Sequence, residues 1–212
     1  MPANRVHLIR HGEVHNPDGV IYGRLPHFAL SEAGHQMAAA AAADLKDRKV
    51  KLAALYASPL LRTRESAEHV QELYGFEPQI DDRLIEPYNI FQGKKPSAKT
   101  IALRPHLAFH LRNPLTPSWG EPYVAIVARM MDAINDISKA VDGTDVAIVT
   151  HQLPIWMVHR HLEGARLQHN PSKRRCALSS ITTIERTSDG NWVEIDYRNP
   201  ASSIIAKDKG AV

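Results

Sequence analysis

The sequence has little cysteine and few aromatic residues: Cys176 is the one cysteine among 212 residues, and aromatic side chains make up 6%. A lone cysteine cannot form an internal disulfide, which is usual for proteins of a reducing compartment. Long apolar runs are missing too, since none reaches the roughly 20 residues that a membrane helix needs, and residues 1–5 carry no apolar signal segment. We therefore expect a cytoplasmic protein with no membrane segment.

Strong charge of one sign is also absent, because the formal net charge is +3. Nucleic-acid-binding proteins concentrate basic residues in a stripe with interleaved aromatics, whereas the densest basic cluster here is the short run at 173–175. The mild positive balance suits a small anionic substrate equally well. We expect no nucleic-acid partner.

Length and spacing predict a single domain over residues 1–212. A chain of this size can bury one sizeable core, and no linker divides it. Residues 88–121 lack regular periodicity, because prolines break them into short pieces. We expect this stretch to be an irregular insertion that caps a functional site. The sequence leaves a homodimer open.

Short apolar strand patterns alternate with helical patterns along most of the chain. Strands are predicted at 6–9, 52–57 and 146–149, helices at 33–48, 59–74, 121–141 and 154–162, and a terminal hairpin at 179–186 and 192–198. Ser58 and Pro59 are typical of an N-cap and a first helical position, and Gly75 of a helix end. The alternation predicts an α/β fold of three layers, α/β/α, with a mostly parallel sheet and an antiparallel edge.

Three of the predicted strands end in arginine or histidine. The strands at 6–9, 52–57 and 146–149 are followed by Arg10 and His11, by Arg62, and by His151. Ligands bind beyond the carboxyl ends of the strands in open α/β sheets, so these side chains should meet at one edge. Gly12 is expected to turn the chain there, since glycine tolerates conformations that other residues avoid. Arg62, near a helix N-terminus, is well placed for phosphate.

Four motifs resemble those of the histidine phosphatase superfamily, also called phosphoglycerate mutase-like. In chain order they are Leu8-Ile9-Arg10-His11-Gly12-Glu13, Ser58-Pro59-Leu60-x-Arg62-Thr63-x-Glu65-x-Ala67, Arg83-Leu84-x-Glu86 and Thr150-His151. The resemblance spans most of the chain and implies a phosphoglycerate mutase-like fold. Two departures stand out: Val14 and Pro17 replace the threonine and asparagine that many members have, with Asn16 one step early, and Gln152 replaces a glycine.

The resemblance assigns roles that fit the chemistry of these residue types. His11 is the expected nucleophile, which forms a phosphohistidine while its other ring nitrogen is held by the Gly12 carbonyl. His151 should face it and stabilise the transferring group, and Arg10 and Arg62 should bind the phosphate oxygens through their planar forks. The remaining predicted phosphate-binding residues are Asn16, Gly23 and Gln152.

Glu86 is the expected general acid and base, which requires its pKa to be raised toward neutrality. This assignment rests on the resemblance, because the residues alone do not separate Glu86 from Glu13 or Glu65. No cofactor or metal is expected. His106 and His110, and the pair His159-x-His161, lack the acidic or thiolate partners of a zinc site.

The sequence favours a phosphomonoesterase that acts on a small phosphorylated substrate. A cofactor-dependent phosphoglycerate mutase is the second candidate, although the adjacent arginine pair that such mutases carry in the capping segment is missing between residues 88 and 123. A binding or regulatory module that has lost turnover is the third. The complete set of arginines, histidines and Glu86 argues against that module.

Overall fold

The computed structural model describes residues 3–95, 120–143 and 145–204. Most of the predicted capping insertion, residues 96–119, lies outside the described residues, as do His106 and His110. The insertion's role as a cap therefore stays a prediction. Within the described part of the chain, no helix is both long and apolar enough to cross a membrane.

A six-stranded mixed sheet forms the centre of the fold. Its strands are β1 (Arg5–Arg10), β2 (Leu52–Ala57), β3 (Gln79–Ile80), β4 (Asp145–Thr150), β5 (Ile181–Arg186) and β6 (Trp192–Arg198). They lie in the order β3-β2-β4-β1-β5-β6. The pairs among β1, β2, β3 and β4 are parallel, and β5 pairs antiparallel with both β1 and β6. The predicted parallel sheet with an antiparallel edge is confirmed.

In the part of the chain that the structure describes, four α-helices cover the two faces of this sheet. They are α1 (Glu32–Asp47), α2 (Leu61–Tyr74), α3 (Tyr123–Ala140) and α4 (Gln152–Leu162). Successive residues of a strand point to opposite faces, so Ile9 packs with Leu45 of α1 and Val70 of α2, whereas Leu8 packs with residues of α3 and α4. The two separate clusters confirm the predicted three layers.

The start of α2 differs from the prediction. Helix α2 begins at Leu61, its N-cap is Leu60, and no side chain caps it. Ser58 does not cap the helix because its hydroxyl lies 2.8 Å from Nε2 of His151. Pro59 therefore precedes the helix instead of occupying its first position. The other end agrees with the prediction, since Gly75 closes α2 with φ of +78°.

Gly12 is needed for a different reason than the one expected. Its φ is not positive; instead, a Cβ at Gly12 would lie 2.2 Å from the carbonyl oxygen of Gly34. A Cβ at Gly34 would in turn lie 2.0 Å from the carbonyl oxygen of Glu13. The two glycines let the loop after β1 pass directly over the first turn of α1, which fixes the position of His11.

Candidate active site

The three strand ends converge on one edge of the sheet. Arg10 at the end of β1 pairs with Thr150 at the end of β4, and Ala57 at the end of β2 pairs with Val149. The residues that follow these strands are therefore neighbours. The ring centroids of His11 and His151 lie 5.2 Å apart at an interplanar angle of 66°.

A cavity of about 230 Å³ opens at this edge. Its wall is formed by Arg10, His11, Ile21, Tyr22, Gly23, Arg62, Glu86, Pro87, Tyr88, Asn89, Phe91, Gly120, Glu121, Tyr123, Gln152, Leu153, Pro171 and Arg174. Charged and polar groups thus meet aromatic and aliphatic surface in one space, an arrangement typical of small-molecule sites. The volume lies below the roughly 300–1,000 Å³ of sites for drug-sized ligands, which indicates a small ligand.

The His11 ring is held with one nitrogen bonded and the other available. Its Nδ1 lies 2.7 Å from the carbonyl oxygen of Gly12, and because a carbonyl only accepts, Nδ1 carries the proton. Burial lowers the pKa of His11 well below the ordinary histidine value, and the guanidiniums of Arg62 and Arg10 lower it further. His11 is therefore neutral at physiological pH, with a lone pair on Nε2, as a nucleophile requires.

The His151 ring is fixed by a serine from another strand end. Nε2 of His151 lies 2.8 Å from Oγ of Ser58, and both side chains are buried. Its Nδ1 has no hydrogen-bond partner within the described residues and lies 3.9 Å from Oε2 of Glu86. Burial lowers the pKa of His151 well below the ordinary histidine value, with Arg62 and His11 acting in the same direction. A neutral His151 can donate from Nδ1 when Nε2 accepts from Ser58.

The buried guanidiniums of Arg10 and Arg62 flank His11, and each has at least one N–H donor without a hydrogen-bond partner among the described residues. Nη1 of Arg10 donates to the Cys176 carbonyl at 2.6 Å, and Nη2 of Arg62 donates to the Gly23 carbonyl at 2.7 Å. The Arg62 guanidinium also lies over the Tyr22 ring, 4.8 Å from its centroid. Nε of Arg10 and both Nε and Nη1 of Arg62 are buried without a hydrogen-bond partner among the described residues. Buried, unsatisfied charged donors are costly, and an oxyanion would satisfy them.

Glu86 and Glu121 are the carboxylates of the cavity wall among the described residues, and Glu121 is paired with Arg24 and Arg129. Glu13 accepts from the Ser31 hydroxyl at 2.7 Å and Glu65 from the Leu30 backbone N–H at 2.6 Å, whereas Glu86 lines the cavity wall and is 21% exposed at its side chain. Burial raises the pKa of Glu86 above the ordinary glutamate value, although Arg62 pulls it in the opposite direction. Of the three carboxylates that the sequence left open, Glu86 is the one that lines the cavity.

The three other predicted phosphate-binding residues lie in different settings. Gly23 lines the cavity with φ of +41° and accepts from Arg62. The Gln152 side chain turns toward the Cys176 carbonyl, 3.3 Å from its Nε2. Asn16 is not among the cavity-lining residues; its amide bonds both backbone groups of Val20, at 2.9 and 3.2 Å. The structure thus gives Asn16 a loop-shaping contact, which the sequence pattern did not indicate.

Three cavity-side residues were missed as site residues by the sequence reasoning. Ser58 was interpreted as a helix cap, Arg174 as one member of a short basic cluster, and Tyr22 was not singled out. The Arg62 guanidinium lies over the Tyr22 ring, and the Ser58 hydroxyl bonds His151. Both contacts join segments that are distant in the sequence, so no local pattern predicts them. Arg174 was visible as an arginine, but spacing could not show which of residues 173–175 faces the cavity.

Metal ligands are sparse in the described ranges. Over residues 3–95, 120–143 and 145–204, no cluster of three or more histidine, cysteine, aspartate or glutamate side chains is arranged to hold a metal ion. His159 instead bonds Glu194, with Nδ1 at 2.6 Å from Oε2. The positive charge at the cavity comes from arginine.

The buried imidazoles should make the free energy of unfolding depend on pH below neutrality. An unfolded histidine binds a proton below a pKa of about 6.5, whereas folded His11 and His151 stay neutral to lower pH. The unfolded state then binds more protons, so stability falls as pH falls, by up to about 1.4 kcal/mol per pH unit for each imidazole. Urea denaturation between about pH 7.5 and about pH 5.5 measures this slope.

Replacing His11 with glutamine should flatten that slope, and replacing the exposed His161 with glutamine should leave it as in the unmodified protein. Equal slopes for the unmodified protein and His11→Gln would contradict the buried neutral state of His11.

Comparison with known proteins gives one consistent result. The family model for the histidine phosphatase superfamily (branch 1) matches residues 6–197. The uncharacterized protein Rv0525 of Mycobacterium tuberculosis is 44% identical over 199 residues, 93% of this chain and 97% of that protein. A 2,3-bisphosphoglycerate-dependent phosphoglycerate mutase of Thermoplasma acidophilum is 30% identical over 151 residues, 70% of each chain.

A solved structure shares the fold over nearly the whole chain. The mycobacterial glucosyl-3-phosphoglycerate phosphatase Rv2419c, in complex with VO3, has a TM-score of 0.74 and 25% identity. The match covers 93% of this chain and 99% of that one. The similarity therefore extends across both helical layers and the sheet edge that carries the cavity.

Proposed function

The chain belongs to the histidine phosphatase superfamily, and from that premise we propose that it is a metal-independent phosphomonoesterase acting through a phosphohistidine on a small phosphorylated metabolite. The observation that carries the proposal is the set of buried, unpartnered guanidinium donors of Arg10 and Arg62 around the neutral ring of His11. Phosphoryl transfer needs positive charge at the equatorial oxygens and a nucleophile in line, and this arrangement supplies both.

In the first step Nε2 of His11 attacks phosphorus. A nitrogen–phosphorus bond forms and the ester oxygen–phosphorus bond breaks, while Arg10 and Arg62 stabilise the charge on the three equatorial oxygens. Burial raises the pKa of Glu86 and so favours its protonated form, which gives its proton to the leaving alkoxide. The Gly12 carbonyl, 2.7 Å from Nδ1, stabilises the positive charge that develops on the His11 ring.

In the second step water hydrolyses the phosphohistidine. The Glu86 carboxylate takes a proton from water as its oxygen attacks phosphorus, and the nitrogen–phosphorus bond breaks. His11 recovers its neutral ring and inorganic phosphate is released. Ser58 holds the His151 ring in place through Nε2, and with the proton on Nδ1 the ring can donate to a phosphoryl oxygen in both steps.

A mutase is the second candidate because a relative is named as a phosphoglycerate mutase. A mutase keeps the phosphoryl group on the histidine until the product rebinds in a second orientation, whereas a phosphatase lets water reach it. Between residues 88 and 123 the sequence lacks the adjacent arginine pair that such mutases carry in the capping segment. This observation favours hydrolysis.

Release of inorganic phosphate from a panel of phosphomonoesters, with a chelator present, tests the proposal. We expect the enzyme to hydrolyse small alkyl and aryl phosphates, and we expect the chelator to leave the rate of phosphate release unchanged. Interconversion of 2- and 3-phosphoglycerate that depends on a bisphosphorylated primer, without net phosphate release, would favour the mutase. Binding of phosphate with no turnover of any ester would favour a regulatory module.

A further inference from the structure

Arg174 is an arginine of the cavity wall without an acidic partner. Within the described residues no carboxylate oxygen lies within 4.0 Å of its guanidinium, although its side chain is partly buried at the cavity. The arginines nearby differ: Arg24 and Arg129 both form ion pairs with Glu121, at 3.3 and 2.8 Å. Arg174 thus brings a positive charge to the wall that the surrounding protein does not neutralise by contact.

Neutral groups orient the Arg174 guanidinium. Its Nε donates to Nε2 of His169 at 2.8 Å, and its Nη1 lies 3.4 Å from Oε1 of Gln152. His169 carries its proton on Nδ1, which donates to the Leu167 carbonyl at 2.8 Å, so Nε2 is free to accept. Burial also lowers the pKa of His169 below the ordinary histidine value. His169 and Gln152, both neutral acceptors, therefore orient the Arg174 guanidinium without neutralising its positive charge.

The guanidinium keeps a donor for a ligand. Its hydrogen bonds use Nε and Nη1, and none within the described residues uses Nη2. Burial is the largest cause that lowers the pKa of Arg174, and the charge of Glu86, another residue of the cavity wall, acts in the opposite direction. Removing a charge from water without a paired counter-charge is unfavourable. An anion at this wall would relieve that cost, as a phosphate would at Arg10 and Arg62 in the proposed function.

The cavity limits what such an anion can be attached to. Its volume of about 230 Å³ must hold the phosphoryl group, a carbon skeleton and the second anion together. Tyr88, Phe91 and Leu153 provide apolar surface in the same wall, against which a short carbon chain can pack. A small ester with charges at its two ends fits these constraints better than a large uncharged alcohol.

We propose that Arg174 binds a second anionic group of the substrate, a carboxylate or a phosphate, and so selects small phosphomonoesters that carry one. This inference rests on the proposed phosphatase function of the same cavity. Planar, bidentate recognition of carboxylate or phosphate is the use for which arginine is best suited. Gln152, which replaces the glycine usual in the family, is the residue that directs Arg174 toward that second group.

Two substrates that differ in one group test the proposal. 3-Phosphoglycerate carries a carboxylate where glycerol 3-phosphate carries a hydroxymethyl group. We expect the unmodified enzyme to prefer 3-phosphoglycerate by about tenfold or more in kcat/KM, and Arg174→Gln to bring the ratio close to one. Arg175→Gln is the matched control, because Arg175 is exposed and bonds Glu194 instead; it should keep the preference of the unmodified enzyme.

Two results would overturn the proposal. One is an equal kcat/KM for the two esters in the unmodified enzyme. The other is an equal decrease of kcat/KM for both esters in Arg174→Gln, together with a shift of the alkaline limb of the pH profile. That result would mean that Arg174 acts on the ionisation of Glu86. Calorimetric binding of both esters to the His11→Ala protein separates this question from catalysis. There, tighter binding of 3-phosphoglycerate that Arg174→Gln abolishes supports the second-anion site even if no ester is hydrolysed, and equal binding overturns it.

Discussion

His11→Ala should lower kcat for phosphomonoester hydrolysis by about 10⁴-fold or more, because loss of a nucleophile removes the covalent route altogether. The neighbouring Arg10 and Arg62 would still bind phosphate, so KM should change far less than kcat. Steady-state kinetics with an aryl and an alkyl phosphate measure both constants. The variant should fold, since the Cys176 and Gly23 carbonyls that hold the two arginines remain in place.

The matched control is His161→Ala. His161 is exposed near the far end of α4, ten positions after His151, or about 15 Å along the helix axis. This variant should retain the kcat of the unmodified enzyme. If His11→Ala kept most of its activity while remaining folded, water would have to attack the ester directly and the proposed nucleophile would be wrong.

Glu86→Gln should lower kcat by about 10²- to 10⁴-fold for alkyl phosphates, which is the usual contribution of a general acid or base. Glutamine keeps the shape of the side chain but cannot donate a proton to the leaving alkoxide. The loss should be much smaller in the first step for p-nitrophenyl phosphate, whose leaving group departs without protonation. Comparing burst and steady-state rates for the two esters separates the first step from hydrolysis of the phosphohistidine.

Glu65→Gln is the control for this experiment. Glu65 belongs to the same set of motif carboxylates, yet its Oε2 accepts from the Leu30 backbone N–H at 2.6 Å, and glutamine can keep that bond. For Glu65→Gln, kcat should depend on the leaving group to the same extent as it does for the unmodified enzyme. A leaving-group-dependent loss in Glu65→Gln, with none in Glu86→Gln, would reassign the acid.

The sequence predicted the layers of the fold because strand and helix patterns have different periods. The side chains of β1 alternate between two hydrophobic clusters, with Leu8 on one face of the sheet and Ile9 on the other. Gly75 ends α2, as glycine commonly does at the end of a helix. The prediction failed at the start of α2, where the hydroxyl of Ser58 bonds His151 in space. A local capping rule cannot anticipate a competing partner 93 positions away in the sequence.

In the candidate site, too, some residues could be predicted from the sequence and others could not. Arg10 ends one strand, and His11 and His151 each follow a strand. The parallel pairing of these strands brings their ends together, so chain order and strand direction were enough to predict the convergence of the three residues. Arg174 belongs to a loop, where no periodicity fixes which side chain faces inward. Gln152 was noted as a departure from the family pattern, but its contact with Arg174 at 3.4 Å is visible only in three dimensions.

Gly12 shows how a correct residue can be given an incorrect reason. Its place after the first histidine indicated a turn that only glycine allows, whereas the structure shows a helix too close for any Cβ. Local sequence gives backbone preference, and the distance between Gly12 and Gly34 is a property of packing.

Trapping the phosphoenzyme tests the central claim most directly. Enzyme mixed with a phosphomonoester should be denatured rapidly at alkaline pH, where phosphohistidine survives, and the labelled peptide located by mass spectrometry. We predict one phosphoryl group on the peptide containing His11, absent in His11→Ala and accumulating in Glu86→Gln with an aryl phosphate. A phosphoryl group on another residue, or turnover with no labelled peptide under conditions that preserve phosphohistidine, would contradict the account.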